Sequence, residues 1–246
     1  MNSLNASLSF AGSSSGDNIS KVSHAQLNVN DLQTVLNGRT YLRADIQEGD
    51  IIFWFGASCH DSFNSAGYLP PMLQNGLFKS LGSDYAAGTY KAASILYYHV
   101  VTEASKGMLI GFNKVIPNNY TSPTTFLYVV RGADPSSIAS VERTRRTNTA
   151  RPTFPSIDIS SNDYILAMTA SGANTTTYLP FVPSAGYDDS VILGSNLGST
   201  GRRVSSGILL RKPGVSGSYT EPTWSLSGTD QTYFTNVSLV MRLSPK

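Results

Sequence analysis

Residues 124–138, TTFLYVVRGADPSSI, set an apolar run hard against a polar corner, and the reading of that junction decides the fold. Val129 and Val130 read as the end of a buried strand. Gly132 supplies a backbone conformation closed to other residues, and Asp134-Pro135 starts a turn with Asp as cap and Pro in the first position. Arg131 is expected to fold back onto a carboxylate or onto strand-end carbonyls. Ala133 separates Gly132 from Asp134, so the adhesion tripeptide Arg-Gly-Asp is not present.

Outward from this junction the same alternation recurs. Apolar runs such as IIFWFGA (51–57), ASILYYHVV (93–101), DYILAMTA (163–170) and SSGILLRK (205–212) are separated by turn-forming clusters such as IPNNYTSP (116–123) and GSNLGSTG (194–201). The composition agrees, with 14% charged residues, 40% hydrophobic residues, 21 Gly and 12 Pro in 246 residues. Helical segments do not alternate with these runs, which excludes a parallel α/β sheet. The expectation is an all-β fold, a jelly-roll-like two-sheet β-sandwich over 48–246. In the closing strand, Val237, Leu239, Met241 and Leu243 should face a core, with Ser238, Val240 and Arg242 on a wetter side.

Residues 1–47 read differently, as an extended N-terminal arm with a short helix. The first 20 are small and polar, and ordering such a backbone costs about 1–2 kcal/mol per residue, so a partner surface is expected to hold it. Within NVNDLQTVLNG, Leu32, Val35 and Leu36 fall at helical spacing between a capping Asn30 and Gly38, and form a candidate docking helix.

Several functional classes are excluded as expectations. A net charge of +2 is far from the positive field that nucleic-acid binding requires. No run of about 18 apolar residues could cross a membrane, and MNSLNASLSFAGSSSG lacks the form of a signal peptide, so synthesis and retention in a cytosol are expected. A single cysteine rules out an intrachain disulfide and a multi-cysteine metal site. The Cys59-His60-Asp61 triplet is not a catalytic triad, because alternation along a strand separates His60 from the other two. His99, inside LYYHVV, reads as a satisfied strand residue. Asp158, Asp163 and the pair Asp188-Asp189 read as turn and capping residues, so no catalytic group, metal site or cofactor is expected.

Arginine is concentrated in VERTRRTNTAR, at Arg143, Arg145 and Arg146, and again at Arg202 and Arg203. Forked guanidinium groups suit carboxylates and phosphates, so these five form a candidate contact surface for a partner subunit or an acidic glycan. Tyr178 and Tyr187 are added as aromatics able to stack on sugar rings.

The order of motifs, EGDIIFW, then GYLPPML, ASILYYHVVTEAS, TTFLYVVRGADPSSI, ARPTFPSIDISSNDYILAMTA and NVSLVMRL, resembles a β-sandwich module of bacteriophage virion proteins encoded with tails, fibres and baseplates. The likeness covers about Glu48 to Leu243 and departs from the module at Met72-Leu73, where Gly-Trp usually follows the prolines. The resemblance implies a non-enzymatic virion structural protein, assembled in the bacterial cytoplasm and docked through its arm to other virion proteins. It further implies a homo-oligomer, with a trimer as one form, and contact with host surface polysaccharide. A capsid decoration protein and a carbohydrate-binding receptor module are the two alternatives.

Overall fold

The computed structural model describes residues 18–28, 39–41, 46–60, 72–73, 77–87, 91–105, 109–113, 124–138, 141–147, 151–174, 181–182, 190–193, 202–226 and 235–246. The first part of the chain forms β1 (Ser20–Asn28), β2 (Arg39–Tyr41), β3 (Ile51–His60), β4 (Met72–Leu73), β5 (Lys79–Ala87), β6 (Lys91–Val100), β7 (Leu109–Asn113) and β8 (Thr124–Arg131). The second forms β9 (Val141–Thr147), β10 (Ser156–Ile159), β11 (Tyr164–Asn174), β12 (Phe181–Val182), β13 (Ser190–Leu193) and β14 (Arg202–Arg211). It closes with β15 (Gly217–Thr220), β16 (Ser225–Leu226) and β17 (Thr235–Leu243). No α-helix occurs among the described residues.

Two five-stranded antiparallel sheets carry the fold, in the orders β1-β8-β3-β6-β5 and β9-β17-β11-β14-β13. The two orders are the same. In each, the first strand of its half lies beside the last, the long central strand follows, and a hairpin closes the far side. The small strands repeat as well. In the first half β7 pairs with both β2 and β4, and in the second β15 pairs with β10 and β16 with β12. An eight-stranded jelly roll sets strands 1-8-3-6 against strands 2-7-4-5, and both halves keep that order except that the fifth strand stays beside the sixth. The sandwich is therefore a jelly roll used twice, and the strand that remains whole as β7 is split into β15 and β16 around Pro222.

Register shows how closely the halves correspond. Ile52 pairs with His99 and Val129, and Ile165 pairs with Arg211 and Arg242 at the matching places. Ahead of each central strand stands the same turn. Asp50 Oδ2 accepts from Gln47 N at 2.8 Å, and Asp163 Oδ2 accepts from Ser160 N at 2.7 Å. Each aspartate's own amide returns a bond to the same residue's carbonyl, at 3.1 and 2.9 Å.

The principal core lies between the sheets. Ile51, Phe53, Phe55 and Ala57 of β3 meet Tyr164, Leu166, Met168 and Ala170 of β11, and these are register-equivalent positions. The outer face of each sheet is covered too. Ile52, Trp54, Tyr97, Leu127 and Val129 pack with Ile46 and Phe78, while Ile165, Leu209 and Val240 pack under Phe154, Ile157, Phe181 and Trp224. The chain's two halves close on each other at one corner. Asp134 N donates to Ser244 O at 2.8 Å and Lys246 N to Gly132 O at 2.9 Å, so the segments that follow β8 and β17 pair antiparallel.

Two sequence expectations change. Ser20–Asn28, read as part of the arm, is edge strand β1, paired along β8 from Ser20↔Arg131 to Asn28↔Thr124. An edge strand uses backbone bonds on one side and few apolar contacts, so its sequence can be as polar as an arm's. The wetter side expected of β17 shrinks to its end, where Arg242 alone stays half-buried. Thr235 through Met241 are all buried, because a second layer covers the outer face, and Ser238 Oγ is satisfied by Thr169 Oγ1 at 3.0 Å. The candidate helix residues Leu32, Val35 and Leu36 lie outside the described residues.

At Gly207 of β14 the covering layer leaves no room. An added Cβ would stand 2.9 Å from Trp224 Cζ3 and 3.4 Å from Phe181 Cδ2. Gly207→Ala is expected to lower stability by about 1–3 kcal/mol, measured by urea unfolding.

Candidate functional site

Strand β9 carries the arginine cluster, and its alternation sends the arginines to two places. Arg143 and Arg145 pair with Leu239 and Val237, residues of the inter-sheet core, so both side chains point toward the other sheet. There Arg145 Nε donates to Asp84 Oδ1 at 2.6 Å, and Arg143 donates to the Leu81 carbonyl, both on β5. Asp84 is 2% exposed while Arg145 is 60% exposed, so the carboxylate is buried and the guanidinium covers it from the rim. Gly82, at φ +105, forms the bulge that admits Arg143. These two arginines clamp the outer strands of the two sheets together. Arg146 takes the opposite face, where its Nε donates to Thr153 Oγ1 at 3.1 Å.

Arg202 and Arg203 begin β14, opposite Asn174 and Ala173, on the far side of the sheet from β9. The structure therefore does not bring the two arginine groups to one strand pair. Tyr178 and Tyr187 lie outside the described residues, as do Asp61, Asp188 and Asp189.

The corner after β8 has the chemistry read from its sequence. Arg131 forks onto Asp50, Nε to Oδ1 at 2.8 Å and Nη2 to Oδ2 at 2.9 Å. Gly132 has φ +87, and Asp134 caps the turn at Pro135 by accepting from Ser136 N at 2.9 Å. Two hydrogen bonds from Ser136, first Oγ to Oδ2 at 2.6 Å and then the backbone N, hold the Asp134 carboxyl below its ordinary value. The corner is structural.

His99 is likewise committed to the fold. Its Nδ1 donates to the Leu77 carbonyl at 3.0 Å, which leaves Nε2 of the neutral ring to accept from Ser105 Oγ at 2.9 Å. Its ring also stacks against Phe78, with centroids 5.4 Å apart. Burial pushes its pKa below the usual 6.5, with the Leu77 bond opposing in part. Among the described residues no group of three or more His, Cys, Asp and Glu could hold a metal ion.

What is left is a cleft of about 410 Å³ on the outer side of the second sheet, lined by Glu142, Ser156, Ile157, Asp158, Ser218 and Arg242. β9 contributes Glu142 and β17 contributes Arg242, which lie diagonally across one ladder on the outer face. The β10–β15 pair supplies the opposite wall. Ile157 turns in to the apolar layer, while Ser156 and Asp158 remain exposed. Arg242 Nε is buried and has no hydrogen-bond partner among the described residues. A donor left in that state costs about 1–3 kcal/mol. Sequence reading did not single out Glu142 or Arg242. The available signal was Arg242 itself, a lone charge in the apolar run NVSLVMRL.

Comparison with known proteins returned no matching family model, no matching curated protein and no matching solved structure.

Two outcomes test these assignments. Arg145→Ala should cost about 1–3 kcal/mol in urea unfolding, between an exposed pair and a fully buried one, because it uncovers the Asp84 carboxylate. For His99, a lowered folded pKa means that the unfolded chain takes the proton first as pH falls below about 6.5. Stability present above that pH is then lost on acidification, and His99→Gln should flatten the fall in unfolding midpoint between about pH 7 and about pH 5.

Proposed function

We propose that this is a non-enzymatic structural protein of a bacteriophage virion, placed with the tail, fibre or baseplate and docked through its leading segment. The reading draws on the order of motifs over Glu48 to Leu243 and on the polar make-up of residues 1–17. The observation that carries it is where that segment joins the fold. Asn18 sits at the corner where the two halves meet, accepting from Tyr164 OH at 3.1 Å and packing its carbonyl against Gly132. The C-terminal Lys246 reaches Gly49 at the same corner. A leading segment rooted there can lie along a partner while the jelly-roll pair stays whole, and self-association would repeat that docking around an axis.

Deletion of residues 1–17 should leave the unfolding midpoint of the purified protein unchanged and abolish its incorporation into particles, followed by gel densitometry of virions. Normal incorporation of the truncated chain, or absence of the intact chain from purified virions, rejects the proposal. A copy number matching the capsomers would move the protein from the tail to capsid decoration.

A further inference from the structure

The doubled architecture makes the outer cleft of the second half conspicuous. At the place of Arg242 the first half has Val129, packed in its outer apolar layer, and at the place of Glu142 it has Ala25. The same sheet position is thus satisfied by an apolar side chain in one copy of the fold. Packing of the fold does not require a charge there, yet the second half holds a guanidinium whose buried Nε has no partner among the described residues.

The lining narrows what the cleft could hold. The residues that line about 410 Å³, within the ~300–1,000 Å³ of small-molecule sites, carry two carboxylates, one guanidinium and two hydroxyls. A phosphate or a free carboxylate would meet Arg242 but would be repelled by Glu142 and Asp158. A metal cation would meet the carboxylates but would be repelled by Arg242. An uncharged ligand with adjacent hydroxyls suits all of them, since each hydroxyl can donate to a carboxylate oxygen and accept from a guanidinium N–H. We propose that this cleft binds a sugar ring, with Arg242 donating to ring or hydroxyl oxygens and Glu142 and Asp158 accepting from hydroxyls. The assignment does not depend on where in a particle the protein stands.

The test titrates the full chain with D-glucose, D-galactose, D-mannose and N-acetyl-D-glucosamine, each to about 50 mM, following amide shifts by NMR. At least one sugar should bind saturably and shift resonances of β9, β10 and β17. Arg242→Val, which installs the first half's residue, should weaken that binding about tenfold or more while the unfolding midpoint holds or rises. Glu142→Gln should weaken it as well, with the fold intact by its amide spectrum. The proposal is overturned if none of the four sugars binds, if both variants bind as the parent does, or if glycine or inorganic phosphate occupies the cleft in their place.

Discussion

Everything in this protein is arranged around the apolar contact between β3 and β11. Alternate residues of the two central strands bury Ile51, Phe53 and Phe55 against Tyr164, Leu166 and Met168. Because the outer face of each sheet is also covered, these strands cannot carry charge on either side. Ionic groups are displaced to strand ends, sheet edges and the covering layer. That is where Asp50 with Arg131, Asp84 with Arg145 and Glu221 with Arg211 are found. The clamps lie where they do because the interior has no place for them.

The two halves fill the space under their covering layers by different means. In the first, Trp54 and Ile95 rise from the sheet to fill the space beneath the covering layer. In the second, the matching positions are Ala167 and Gly207, and Trp224 comes down from the covering layer into the gap. Its indole N–H donates to the buried carboxylate of Glu221 at 3.3 Å, which also accepts from Tyr219 OH at 3.1 Å. The large side chain that fills the gap comes from a different strand in each half, which is how a close-packed layer tolerates divergence. Similarity between the halves is therefore strong in topology and turn chemistry but faint residue by residue.

The strands themselves were legible. Apolar runs between Gly, Pro, Asn and Ser clusters located β3, β6, β8, β11, β14 and β17, and the Arg131 corner was read with its left-handed glycine and with a carboxylate as one of two partner types. The arginine cluster was legible as strand-borne, with Arg143 and Arg145 sharing a face. That their face is the inter-sheet seam was not, since it depends on Asp84 and Leu81, about 60 residues away in sequence. Glu142 and Arg242 were illegible as a pair for the same reason.

By itself the sequence determined the class of the fold, because period-two burial and turn residues act over a few neighbours and leave a local trace. It determined the chemistry of single turns for that reason too. Only the tertiary structure decided that the sandwich is one jelly roll repeated, that β1 belongs to it, and that a charge on β17 opens into a cleft. Each of these is a pairing between distant segments, and backbone hydrogen bonds and packed side chains leave no mark on sequence spacing when the partners lie a hundred residues apart.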